Sequence, residues 1–200
     1  MIGIKLDVRE FERVALALQA IPDQIPFALS RSLNDAVRNT QTVLIASTWP
    51  RSVTVRNPTF LRASLRRITS TKANLTVAIV DKLNRGNLQM HAVGGTRTPR
   101  GNNLAIPNEE NTPRGTHGVR KTDRPKALIA RTPKRALRIT PRGIFVGRGG
   151  KLKLKYALKA TTSQPKDVDF YGDFEAAMTN EMRVMFPIHI RKAMETRRGR

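Results

Sequence analysis

The sequence of 200 residues has no cysteine. That excludes disulfides, iron–sulfur clusters, thiolate zinc sites and a thiol nucleophile. It fits assembly in a reducing cytoplasm. Aromatic residues make up only 5% and hydrophobic residues 39%, below the usual globular range. A core small for the chain length follows, with stability shared with neighbouring subunits. No apolar run approaches the roughly twenty residues that cross a bilayer. The N-terminus has no signal-peptide layout, and no basic amphipathic helix with large aromatics suits a membrane surface. No membrane partner is expected.

Acidic residues are also scarce. Fifteen Asp and Glu face thirty-seven Lys and Arg, a net charge of +22. The excess is uneven. Residues 93–151 hold fourteen basic and three acidic side chains, half the net charge, with six of the twelve prolines and nine of the thirteen glycines. Such a segment repels itself and resists long helices, so it belongs in open water or beside something negative. Its candidate contact residues are Arg97, Arg100, Arg114, Arg120, Lys121, Arg124, Lys126, Arg131, Lys134, Arg135 and Arg138. Phosphates attract such side chains without sequence readout. Phe145 is the one aromatic in the segment, which argues against recognition of single strands by base stacking. No helix-turn-helix, zinc-finger or RNA-recognition signature is present.

Hydrophobic periodicity organises the rest. Ile2, Ile4 and Leu6 alternate as a short strand. Asp7 then caps a helix bearing Phe11, Val14, Ala15 and Leu18, which ends at Pro22. Pro26 suits a first helical position, and Leu29, Leu33, Ala36, Val37, Thr40 and Leu44 predict one apolar helix face running to about Ser47. Trp49-Pro50 breaks that pattern. Val53 and Val55 suggest an extended piece, and Asn57-Pro58 a helix start. Strands are predicted over 75–80 and 88–93, followed by turn chemistry over 94–125 with an apolar patch at 104–106. Residues 143–147 and 151–158 read as a hairpin, with Leu152, Leu154 and Tyr156 on one face. A last helix starts near Tyr171 or Asp173, its face marked by Phe174, Met178, Met182 and Met185, with Pro187 interrupting it.

These elements predict an α+β fold: a mostly antiparallel sheet packed by N-terminal helices and a C-terminal helix. Residues 1–92 and 143–200 would form one domain, and 93–142 a long basic loop or arm.

Catalytic signals are weak. His91, His117 and His189 lack ligand-like spacing. Gly147–Lys151 lacks the phosphate-loop pattern and reads as a hairpin turn. Asp167, Asp169, Asp173 and Glu175 form the densest acidic group and could bind a divalent ion or do acid–base work, the three aspartates serving a metal-dependent nuclease. They read more simply as a helix start whose charges suit the dipole and pair with basic neighbours. No serine lies in a nucleophile-elbow sequence. The sequence therefore predicts a protein that is not an enzyme and carries no cofactor.

Two stretches together resemble a known family. Near the N-terminus, residues 16–36 give a short helix, a Pro-x-x-x-Pro link, then a helix with Ala-Leu and Leu-Asn. Near the C-terminus, residues 153–158 (Lys-Leu-Lys-Tyr-Ala-Leu) precede a polar Pro-containing link, Asp169-Phe-Tyr and a helix with a basic end. Across about 1–70 and 143–200 the chain resembles the minor tail protein Z family, the tail-completion proteins of tailed bacteriophages. The resemblance implies a structural virion protein, assembled in the host cytoplasm, that completes the head-proximal end of the tail for joining to the head. It implies a homo-hexameric ring around the DNA channel, with tail terminator, tail tube or head–tail connector proteins as partners and nonspecific contact with genomic DNA. A free-standing, sequence-nonspecific nucleic-acid-binding protein is the alternative.

Overall fold

The computed structural model describes residues 24–84, 88–99, 101–148 and 150–198, together with Arg9, Phe11 and Arg13. The strand expected at 2–6, and the first helix apart from those three helical residues, lie outside this set. The chain divides into two compact units: Met1–Val93 with Lys166–Arg200, and Gly94–Pro165. The fold is α+β with antiparallel sheets.

The first unit is built on two helices, α1 (Ile25–Val43) and the 29-residue α6 (Phe170–Arg198). Along α1, Ala28, Leu29, Leu33, Ala36, Val37 and Thr40 recur at i, i+3 and i+4 and are all fully buried, because that spacing lines one side of a helix. Pro26 stands in the first turn, where no amide donor is lost. Along α6, Phe170, Phe174, Met178, Met182, Phe186 and Ile190 recur every four residues and are buried. The face therefore continues through Phe186 rather than Met185, which is half-buried. Pro187 is exposed and the helix continues through it. Phe11 meets Phe186 edge-on at 5.6 Å.

Trp49-Pro50 does not end the first helical run. After Val43 the backbone widens into a π turn, Leu44–Thr48, in which the Trp49 amide donates to the Leu44 carbonyl five residues back. A new α-helical turn, α2 (Trp49–Ser52), starts there with Pro50 in its first positions. The shift in hydrogen-bond register lets the proline occupy a helical position. Trp49 stacks on Phe170 and meets the His91 ring edge-on, at 6.0 and 5.3 Å. Asn57 Oδ1 accepts from the Thr59 amide ahead of α3 (Phe60–Ser64). Strands β1 (Leu65–Ile68) and β2 (Ala78–Asp81) pair antiparallel. Residues 88–93, expected as a strand, form helix α4 (Leu88–Val93), which buries Leu88 and Ala92 four residues apart. Tertiary burial decides between two readings that six residues leave open.

The second unit is a folded body. Strands β3 (Gly95–Arg97) and β8 (Thr162–Gln164) pair antiparallel. Strands β4 (Leu104–Pro107), β5 (Leu137–Thr140), β6 (Gly143–Arg148) and β7 (Lys151–Lys159) form an antiparallel sheet in the order β4-β7-β6-β5. Helix α5 (Pro125–Arg131) lies between β4 and β5 in sequence. The expected grouping of 143–159 with the chain ends, leaving 93–142 as an arm, thus differs from the structure. Both β4 and β5 come from the presumed arm, and they supply the two flanks of the hairpin's own sheet. Their few apolar residues suffice because the sheet gains its main-chain bonds from pairing.

The hairpin turn is tight, with Arg148 opposite Lys151 and Gly150 at φ +80°. Between them the two strands do not keep one register. Ile144 pairs with Tyr156 and Phe145 with Leu154, so Lys155 is an extra residue on β7. This bulge separates the expected face. Tyr156 turns inward to pack with Ile144 and Leu128. Leu154, opposite Phe145, faces away.

Asp169 stands just before α6. Its carboxylate is held below the ordinary carboxylate range, first by a hydrogen bond from Lys166 and also by the Gly172 amide. A Cβ at Gly172 would lie 2.3 Å from Asp169 Oδ2, so a larger residue there would push the carboxylate out of its capping position. A depressed folded pKa stabilises above the unfolded value and stops doing so as pH falls through the folded one. Asp169→Asn is therefore expected to remove one acid-sensitive component from the stability–pH curve, read by denaturant melts between the ordinary carboxylate range and lower pH. Gly147→Ala would set a Cβ 2.0 Å from the Lys151 carbonyl oxygen. It is expected to destabilise the second unit by about 2–4 kcal/mol, measured by chemical denaturation.

Candidate nucleic-acid interface

The second unit, Gly94–Pro165, carries seventeen Lys and Arg against Glu109, Glu110 and Asp123. Its net charge of +14 is most of the chain's +22. The charge sits where it does because of one local layout. The segment 114–136 crosses one face of the sheet and turns Val119 and Leu128 inward to Ile144, Tyr156, Leu137 and Val146. Its lysines and arginines are left outside.

Short local devices hold that segment. Gly115 and Gly118 exchange amide-to-carbonyl bonds of 3.0 and 2.9 Å across a tight turn, with Gly118 at φ +82°. Lys121–Asp123 is a 3-10 turn. Arg124, extended at φ −61° and ψ 148°, leads into α5 with Pro125 in its first turn. Thr132 ends α5, its Oγ1 donating to the Leu128 carbonyl at 2.6 Å. Lys134–Ala136 is a second 3-10 turn before β5.

The anchor is Tyr156, 2% exposed. Its hydroxyl donates to the Asp123 carbonyl oxygen at 2.7 Å, which pins the 121–124 turn to β7. Burial, and then the Asp123 carboxylate, push the phenol's pKa up, while Arg114 and Arg124 pull it down. The bulge at Lys155 anchors a second loop. Its carbonyl accepts from the Asn108 amide and Thr112 Oγ1, and its Nζ donates to the Asn111 carbonyl at 2.6 Å. Lys155 is therefore occupied in holding structure.

The predicted contact residues can now be located. Arg97 lies on β3, Arg114 in the loop after β4, Arg120 and Lys121 at the first 3-10 turn, and Arg124 ahead of α5. Lys126 and Arg131 lie on α5, Lys134 and Arg135 on the second 3-10 turn, and Arg138 on β5. All ten are exposed. Arg100 lies outside the described residues. Among the described residues, Arg131 alone of the ten is in an ion pair, with Asp123. Eight of the ten, Arg114 to Arg135, belong to the one covering segment. Arg138 instead stands opposite Phe145 in the sheet register.

The other sequence candidates are absorbed by structure. Asp167 meets His91 Nδ1 at 2.7 Å, Asp169 meets Lys166 at 2.8 Å and Asp173 meets Arg51 at 2.7 Å. Each carboxylate has its own partner rather than a common ion, and no group of three or more potential metal ligands occurs among the described residues. His189 Nε2 meets Asp35 at 2.8 Å, and His117 is exposed at its turn. Among the described residues no helix is long and apolar enough to cross a membrane.

Tyr156 was not among the sequence candidates. Its signal was a lone tyrosine in a Lys-Leu alternation, readable only once the bulge is known. Tyr156→Phe is expected to cost about 1 kcal/mol of stability by leaving the Asp123 carbonyl unpartnered, seen as a lower urea midpoint with the fold retained.

No family model, curated protein or solved structure matches this chain.

Proposed function

We propose that this chain is a non-enzymatic structural protein of a phage tail or neck that meets DNA through the basic face of its second unit. The observation that carries the reading is the concentration of ten exposed cations, nine of them without an ion-pair partner among the described residues, on a unit of net charge +14. Such a face neutralises phosphates by charge and reads no sequence. The shallow devices that hold it, short turns and one seven-residue helix, present no long helix for a major groove. The resemblance of the chain ends to tail-completion proteins supports the virion setting and assembly as a ring around the DNA channel. The small core and the high charge suit a subunit that completes itself against neighbours. A free-standing nucleic-acid-binding protein is the second reading, favoured by the same charge; a monomer at all concentrations would select it.

Duplex binding is expected to be independent of sequence and steeply salt-dependent. With about 6–10 phosphate contacts, affinity should fall by about 10³–10⁵ between 50 and 200 mM salt. Replacing Arg120, Lys121, Arg124 and Lys126 by Gln should reduce the slope of log affinity against log salt by about 3–4. Fluorescence anisotropy with unrelated duplexes of equal length measures both. An unchanged slope in the variant, or no binding by the wild type at low salt, would overturn the reading.

A further inference from the structure

One groove in the first unit is not positive. It holds about 300 Å³ between the π turn and α6, and its polar lining is Ser47, Thr48, Arg51, Asp173, Asn180 and Glu181. Arg51 and Asp173 satisfy each other at 2.7 Å. Glu181 is left as the uncompensated charge; its Oε2 accepts from the neutral Asn39 amide at 2.7 Å. Thr48 is 1% exposed, and its Oγ1 has no hydrogen-bond partner. An unsatisfied buried hydroxyl is costly unless something supplies a donor. The surrounding stretch is unlike the rest of the chain: residues 167–181 contain five carboxylates and no lysine or arginine.

The groove thus offers acceptors, one net negative charge and little room. It is too small for a helix, but it suits one long cationic side chain. Alanines on α6, Ala176 and Ala177, keep it open. Copies of a chain of charge +22 repel one another, so a contact between them gains from local opposite charge. The positive half of such a contact is present on every copy and is densest on the 114–135 segment of the second unit, with eight exposed lysines and arginines in twenty-two residues.

We propose that this groove receives an arginine or lysine side chain from the 114–135 segment of another copy of the chain. The cation meets Glu181, with oxygens of Ser47 and Asn180 completing its hydrogen bonds. The contact is heterologous, since the groove and the cation lie on different patches, and repetition generates a ring or an open chain. It rests on the assembly part of the function proposed above, and gives that assembly a specific site.

The test is sedimentation velocity of the full chain over a range of concentration and salt. Wild type should self-associate, and less so as salt rises. Glu181→Gln keeps the size and the Asn39 contact but loses the charge; it should weaken association at least about tenfold. Ala176→Arg, at an exposed position, should do the same by filling the groove with a cation. Glu175→Gln, exposed and outside the groove, should associate as wild type does. The sharpest arm is complementation. Glu181→Gln protein retains its cations, and a variant with Arg114, Arg120, Lys121, Arg124, Lys126, Arg131, Lys134 and Arg135 all changed to Gln retains its groove. Each alone should stay monomeric, and the mixture should give 1:1 pairs and nothing larger. Circular dichroism shows that each variant is folded; should Ala176→Arg misfold, Glu181→Gln decides. Wild-type association by Glu181→Gln overturns the proposal, as does a mixture that forms no pairs. A wild type that is monomeric throughout but melts higher with spermidine also overturns it, because the groove then takes a free polyamine. DNA binding with association indifferent to Glu181 removes this site and leaves the DNA reading. Glu181-dependent association without DNA binding does the reverse.

Discussion

The packing of α1 against α6 is the contact on which the first unit depends. It joins residues near the start of the described chain to its last helix, so the core closes only when both are present. Ser32, Ala28 and Ala36 lie fully buried on α1, and their small side chains leave room for the Phe and Met series of α6. Smaller links reinforce the same closure: Gln24 Nε2 donates to the Ala193 carbonyl, His189 meets Asp35 and Asn39 meets Glu181. The π turn continues the same helical run beyond Val43. It lets the helical run reach Trp49 and set that ring against Phe170 and His91, where a regular helix would meet Pro50 a residue out of phase.

Charge is sorted between the two units by the same economy of core. The second unit buries little: Leu128, Ile144 and Tyr156 are its fully buried hydrophobic residues among those described. It can carry +14 because almost every cation stays in water, where repulsion is screened. The first unit holds twelve of the fifteen acidic residues. Several of these cap or brace α6, where carboxylates suit the positive end of the helix dipole. A cationic surface in one unit and an acceptor-rich groove in the other are therefore consequences of how each unit is stabilised. The proposed function and the proposed contact both draw on that division.

Much of this was legible in the sequence. The apolar face of α1 is strictly periodic, and Leu29, Leu33, Ala36, Val37, Thr40 and Leu44 are all buried as the spacing requires. The hairpin turn, with glycines between two β-rich runs, could be read directly. The ten described contact candidates are exposed, while apolar neighbours such as Val119, Leu128 and Leu137 turn to the core. Other features were not legible. Residues 88–93 fit either a strand or a helix, and only the pocket for Leu88 and Ala92 chooses. The 94–142 segment has too few apolar residues to announce strands; β4 and β5 exist because β7 and β6 offer them edges. The bulge at Lys155 is invisible in an unbroken Lys-Leu alternation.

The sequence by itself determined the chemistry available: no thiol, an excess of cations concentrated in the middle, and one short acidic stretch near the last helix. Those are sums over residues and need no coordinates. Tertiary structure alone decided which groups act together. It assigned Asp167, Asp169 and Asp173 to three separate partners, placed Glu181 and Thr48 in one groove from elements over 130 residues apart, and folded the basic segment onto a sheet. The reason is that burial and pairing are long-range. A side chain's periodicity is written in its neighbours, but its partner is set by the closure of the whole core.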